Sequence, residues 1–190
     1  MSKRSTKRAV TAVVSLIIVG LAFASQQGWL GTAKQAAEQS QPGLYSIDHF
    51  VDGDTIAVKM NDGTETIRMI GIDTPETHKP NAPVQCYGPA AAAYTKSLIG
   101  TNQVRLASDP KSTNRDRYNR LLRYVYLPGG KMVETELIKN GYGFAYTSFP
   151  FTKSNEFVSA QEQAKSASKG LWTNCQPFQE ANGRWQTENL

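Results

Sequence analysis

A strand–turn–strand pattern near the start of the folded body limits the fold more than any other feature. Ile56, Val58 and Met60 alternate with residues suited to the opposite face of a strand. The segment Asn61-Asp62-Gly63 follows as a tight turn, and residues 64–70 return as a second alternating run. A period of two on both sides of such a turn predicts an antiparallel hairpin with one buried face. The fold must therefore be built on a sheet.

The rest of the body adds three further strands and three helices. One strand is predicted before the hairpin, and two more are predicted after it, over residues 103–107 and 120–127. Helices are predicted from Gly88-Pro89 to Gly100, from about residue 133 to Gly141, and over 154–169 with Gly170 as the cap. This order predicts an α+β class, mainly β, namely a small five-stranded barrel with about three flanking helices.

The ends of the chain differ in composition from its body. The net charge is +5, but residues 1–24 carry Lys3, Arg4, Lys7 and Arg8 and no acid, so residues 25–190 carry +1. A basic start, an apolar run over 9–24 and the small-residue end Ala22-Phe23-Ala24 predict a signal peptide or an uncleaved N-terminal anchor. We therefore expect export, a flexible linker over 25–43, one domain over 44–175 and a tail over 176–190.

The chain has two cysteines, Cys86 and Cys175. In an exported protein an even pair predicts one disulfide, whereas two cysteines are too few for a structural zinc site. Two unpaired core thiols are the alternative.

Two acidic clusters flank the predicted hairpin. One is residues 51–55, which contains Asp52 and Asp54, and the other is residues 68–76, which contains Arg68, Asp73 and Glu76. Either cluster alone would suit a polar turn. Because the hairpin joins them, however, Asp54 and Asp73 fall at the same end of the strand pair. Converging carboxylates suit a hard cation such as calcium, and the neighbouring arginine suits a phosphate.

A basic segment over residues 111–123 holds five basic side chains and one acid. It is either a solvated loop or a phosphate-binding loop, in which Arg117 and Arg120 contact phosphate and Tyr118 contacts sugar or base.

In this order, these motifs resemble the staphylococcal nuclease family from about residue 44 to 172. The segments that carry the resemblance are 51–55, 68–76, 87–90, 116–120, 129–133 and 170–172. The resemblance implies an OB-type barrel and calcium-dependent hydrolysis of DNA and RNA. It further implies that Asp54, Asp73 and the Thr74 carbonyl bind calcium, that Glu76 is the general base, that Arg68 and Arg120 bind the phosphate, and that Tyr118 and Tyr146 lie near the substrate.

The sequence thus predicts an exported, monomeric, calcium-dependent endonuclease with little sequence preference, which contacts a membrane only if the N-terminal segment stays uncleaved. Two rival classes stay open. One is a non-catalytic OB-type module that binds oligonucleotide or polysaccharide, and the other is an envelope scaffold anchored by its leader.

Overall fold

The structure, a computed structural model, describes residues 43–61, 63–77 and 83–190. The predicted leader over 1–24 and all of the predicted linker except Gly43 lie outside the described residues. In the described part of the chain, every helix is too short or too polar to cross a lipid bilayer.

The described residues contain nine strands and four helices. The strands are β1 (Ile47–Phe50), β2 (Thr55–Met60), β3 (Gly63–Met69), β4 (Ile72–Asp73), β5 (Arg105–Ala107), β6 (Leu121–Tyr126), β7 (Phe144–Ala145), β8 (Phe178–Gln179) and β9 (Trp185–Gln186). The helices are α1 (Gly88–Ile99), α2 (Val133–Lys139), α3 (Ser154–Ser166) and the single turn α4 (Leu171–Asn174). The mixed α+β class is confirmed.

Five strands form the main sheet in the order β1-β2-β3-β6-β5. The β2–β3 hairpin is antiparallel as predicted, with Thr55 opposite Arg68, whereas β3 and β6 run parallel. Two hydrogen bonds between Tyr45 and Val104, each 2.8 Å, join the segments that precede the two edge strands. The edges of the sheet therefore meet at one point, which is consistent with the OB-type barrel that the resemblance implies.

The core lies between this sheet and the helices. Ile56, Val58 and Ile67 are fully buried, as are Leu137 of α2 and Phe157 of α3. Burying side chains of this size stabilises a fold by roughly 1.5–3 kcal/mol each. These side chains belong to one hydrophobic cluster, which joins the hairpin to α2 and α3.

The last fifteen residues pack onto the domain as a short hairpin, β8–β9. Trp185 of β9 stacks on Phe144, with ring centroids 6.1 Å apart, and meets Trp172 edge to face, with ring centroids 5.2 Å apart. Both distances are typical of aromatic packing. Cys86 and Cys175 form a disulfide with a Cα–Cα distance of 6.0 Å, so the predicted pairing is confirmed and the alternative of two unpaired thiols is wrong. We call residues 176–190 the C-terminal segment.

Candidate active site

The hairpin register brings the two acidic clusters together. Asp54 directly precedes β2, and Asp73 ends β4, which pairs with β7. The Met69 N–H donates a hydrogen bond to the Asp54 carbonyl at 3.0 Å and so fixes the two segments side by side. Both carboxylates are buried, with 6% and 9% of the residue surface exposed for Asp54 and Asp73. The predicted convergence of these two residues is what the structure contains.

Arg68 connects the two carboxylates. Its Nη2 lies 3.1 Å from Asp54 Oδ2 and 3.1 Å from Asp73 Oδ1. Its Nη1 donates to the carbonyl oxygens of Met69 at 2.8 Å and Ile72 at 2.7 Å. The guanidinium is therefore held in one orientation by four acceptors, and it offsets part of the negative charge of the pair.

Thr74 completes this end of the hairpin. Its N–H donates to Asp54 Oδ2 at 2.9 Å. Its Oγ1 is buried and, among the described residues, has no hydrogen-bond partner. A Cβ added to Gly53 would lie 2.7 Å from this Oγ1, so the backbone of residue 53 can approach Thr74 only because it is glycine.

Two more carboxylates, Asp52 and Glu76, lie beside the pair. The pKa of Asp52 is raised from 3.8 to about 6, chiefly by burial and also by the charge of Asp54. Hydrogen bonds from the Gly53 N–H and the Thr77 hydroxyl, both 2.8 Å, oppose the rise. The neighbouring Glu76 side chain also raises the pKa of Asp52. Two carboxyl groups this close to each other favour a proton or a cation between them.

The backbone also positions Glu76. Its N–H donates to Gln85 Oε1 at 2.8 Å, and its carbonyl accepts from the Gln85 N–H at 2.9 Å. Its Oε1 accepts from the Thr77 N–H at 3.1 Å. The Glu76 side chain thus stands at the edge of the acidic cluster on a loop held at both ends.

Burial also raises the pKa of Asp73. Arg68 and Arg184 lower it, and the charge of Asp54 raises it, but the loss of hydration is the largest contribution. The two arginines therefore do not fully offset the cost of burying the Asp73 carboxylate, and a cation bound beside it would stabilise its charged form.

The structure adds one residue that the sequence did not point to, Arg184 of the C-terminal segment. Its Nε donates to Asp73 Oδ2 at 2.8 Å, and its Cζ lies 5.9 Å from the centre of the Tyr146 ring. It is 111 residues from Asp73 and outside the motifs of the resemblance, so no spacing in the sequence could have indicated the contact. Tyr146, which the resemblance places near the substrate, is thus joined to the acidic cluster through Arg184.

The basic loop forms a second cluster. Arg120 Nε and Nη2 each lie 2.7 Å from Asp116 Oδ2, and its Cζ lies 5.3 Å from the centre of the Tyr118 ring. Arg117 donates to the Tyr118 hydroxyl at 2.8 Å, and Tyr118 is 64% exposed. Asn119 adopts a left-handed backbone, with φ 64°, which asparagine tolerates better than most residues. None of the contacts found in the described residues joins this cluster to Asp54 or Asp73.

The donors at the hairpin end fit a hard cation. Asp54 and Asp73 offer carboxylate oxygens, and residue 74 offers a backbone carbonyl beside an unpartnered buried hydroxyl. Oxygen ligands of this kind, with room for water, are those that calcium prefers. In the described residues, ligand atoms of three metal-binding side chains also converge at Cys86, Cys175 and Glu188, but the disulfide occupies both cysteines.

Comparison with known proteins identifies the family of this chain. The family profile described as "Staphylococcal nuclease homologue" matches residues 66–174. The chain is 36% identical over 173 residues to the thermonuclease of Staphylococcus hyicus, which covers 90% of this chain and 99% of that protein. It is 35% identical over 161 residues to the thermonuclease of Staphylococcus intermedius (84% and 94%), and 41% identical over 130 residues to Endonuclease YncB of Bacillus subtilis strain 168 (67% and 61%). The chain belongs to the staphylococcal nuclease family.

Proposed function

We propose that this protein is an exported, calcium-dependent nuclease that hydrolyses the phosphodiester bonds of DNA and RNA with little sequence preference. The broad assignment, a nuclease of the staphylococcal nuclease family, follows from family membership and from relatives that are named as thermonucleases and endonucleases. The observation that carries the finer proposal is the joining of Asp54 and Asp73 by one guanidinium nitrogen of Arg68.

In this proposal Asp54, Asp73 and the carbonyl of Thr74 hold the calcium ion. When bound, calcium would supply positive charge for the phosphate oxygens in the transition state. The unpartnered Thr74 hydroxyl and the crowded carboxylates support this set of ligands.

Glu76 is the proposed general base, which takes a proton from the attacking water. It is half-buried, its backbone is hydrogen-bonded to Gln85, and its Oε1 accepts the Thr77 N–H. A base in such a position must be held within hydrogen-bond reach of the water that it activates, and the two-point attachment to Gln85 supplies that restraint.

Arg68 and Arg120 are the proposed phosphate-binding residues. Arg68 is already oriented by the two carboxylates, whereas Arg120 is paired with Asp116 and must exchange that partner for the phosphate. Two guanidinium groups can stabilise the charge that builds on the phosphate oxygens. Arg117, Tyr118 and Tyr146 then contact the rest of the strand, and because phosphate contacts carry no base information, specificity is low.

Export is part of the proposal, since the Cys86–Cys175 disulfide is suited to an oxidising compartment. The composition of residues 1–24 supports a signal peptide or an anchor. We further propose that the enzyme acts as a monomer.

The test is hydrolysis of plasmid DNA and of a fluorogenic RNA by the purified protein, with calcium and with excess chelator. We expect activity that requires calcium, and a decrease of about 10²–10⁴-fold in kcat for Glu76→Gln, because a positioned general base contributes rate enhancement of that order. Glu162→Gln, which neutralises an exposed carboxylate of α3, is the matched control and should retain wild-type activity.

Full activity in the chelator would refute the calcium proposal, and a Glu76→Gln rate within a few-fold of wild type would refute the general-base assignment. A protein that binds oligonucleotide but never cleaves it would instead support the non-catalytic module. The complete acidic cluster speaks against that alternative.

A further inference from the structure

The C-terminal segment forms one wall of the candidate active site. It is attached on both sides of the acidic cluster through residues far apart in sequence. On one side Arg184 Nε donates to Asp73 Oδ2 at 2.8 Å. On the other side Gln85 Nε2 donates to Gln186 Oε1 at 3.2 Å, and Gln85 Oε1 in turn accepts the Glu76 N–H.

The attachment is extensive. The Cys86 N–H donates to the Glu188 carbonyl at 2.8 Å, and the Thr187 hydroxyl donates to the Cys86 carbonyl at 2.8 Å. The disulfide to Cys175 links the residue before this segment to Cys86, and Trp185 packs against both Phe144 and Trp172, which also contact each other. These contacts hold the C-terminal segment against the candidate active site and direct Arg184 toward Asp73.

The Arg184 guanidinium donates to Asp73 through Nε, which leaves its two terminal nitrogens available for another acceptor. Arg68 binds Asp73 Oδ1, and Arg184 binds Asp73 Oδ2, so the two arginines share one carboxylate. The Arg184 side chain is 37% exposed, and its two terminal nitrogens have no hydrogen-bond partner among the described residues. They lie on the side of the cluster that also carries Tyr146.

We propose that Arg184 is a third active-site arginine, which orients Asp73 and contributes a phosphate contact. This inference rests on the proposed function. It has two consequences of opposite sign: a positive charge beside Asp73 weakens calcium binding, and the same charge strengthens binding of the nucleic acid.

The experiment measures both affinities in Arg184→Gln. Calcium binding to the full chain is measured by isothermal titration calorimetry without nucleic acid. Oligonucleotide binding is measured by fluorescence anisotropy with a labelled single-stranded DNA, in a Glu76→Gln background at saturating calcium, so that no cleavage occurs. We expect calcium to bind about tenfold more tightly because a nearby like charge is gone. We expect the DNA to bind about tenfold more weakly because a charged hydrogen bond is lost.

Two further variants separate this role from simple loss of structure. Arg184→Lys keeps the positive charge but lacks the planar guanidinium group, so its calcium affinity should be close to that of wild type. Lys165→Gln removes a positive charge that lies 4.7 Å from the centre of the Trp185 ring. Among the described residues the ion pairs of Asp73 are with Arg68 and Arg184, not with Lys165, so both affinities should stay unchanged.

Opposite shifts in Arg184→Gln, absent in Lys165→Gln, would support the inference. Unchanged affinities would overturn it, and so would a parallel loss of both affinities, which would show that the segment only braces the fold. If wild-type protein binds no calcium, or binds it independently of Asp54, the proposed metal site fails first, and this inference fails with it. Calcium binding that depends on Asp54 but not on Arg184 would overturn the inference alone.

Discussion

Glu134 makes the stability of the fold depend on pH in a direction opposite to that of most carboxylates. It lies in the first turn of α2 and is fully buried, and both of its carboxylate oxygens accept the Val125 N–H, at 3.0 and 3.2 Å. Burial raises its pKa from 4.5 to about 8, although hydrogen bonds from the backbone and the charges of Arg68 and Lys153 oppose the rise. The folded protein therefore holds a proton that the unfolded chain releases.

The sign and size of the effect follow from this difference. Below pH 4.5 both states are protonated, and the stabilisation is fully present. Between pH 4.5 and about 8 the folded state binds the extra proton, so stability decreases as the pH rises. The slope is at most about 1.4 kcal/mol per pH unit, which gives an upper value of about 5 kcal/mol over that interval.

The assay is urea unfolding followed by circular dichroism at several pH values from 5 to 8, in chelator. Glu134→Gln keeps an oxygen acceptor for the Val125 N–H and cannot ionise, so we expect its free energy of unfolding to decrease much less over this range. Asp52 and Asp73 also have raised pKa values, so the quantity to compare is the difference between wild type and variant. Glu136→Gln, on the same helix, serves as the control and should follow wild type. If Glu134→Gln and wild type show parallel pH dependence, the reasoning is wrong.

Two further predictions concern the disulfide and the turn at Gly53. Cys86→Ser with Cys175→Ser opens a link between residues 89 apart in sequence, and on the chain-entropy account it should lower the free energy of unfolding by about 4–5 kcal/mol. Guanidinium unfolding measures this, and a loss below 1 kcal/mol would contradict it. Gly53→Ala would place a Cβ 2.7 Å from Thr74 Oγ1, so it should weaken calcium binding at least severalfold in calorimetry with the fold retained, and an unchanged dissociation constant would show that this close approach does not shape the site.

The sequence predicted those parts of the site that short-range patterns determine. The convergence of Asp54 and Asp73 followed from one hairpin, because an antiparallel register places residues before one strand beside residues after the other. The information for this convergence lies within about twenty residues of sequence.

The parts that were not predicted depend on long-range packing. The parallel pairing of β3 with β6 joins segments about fifty residues apart, and nothing in either segment specifies its partner. Arg184 meets Asp73 because Trp185 packs against Phe144. The sequence around Trp185 does not indicate which residue its side chain packs against. Glu134 sits beside the apolar stripe of α2, and its complete burial depends on the position of β6.

The aromatic contacts of β9 have a spectroscopic consequence. Trp185 and Trp172 meet edge to face, and the Lys165 ammonium lies 4.7 and 5.6 Å from their ring centres. Indole emission responds to nearby charge and to water, so separation of the two rings would shift the emission spectrum. The protein therefore carries an intrinsic optical reporter of whether the segment that bears Arg184 is seated.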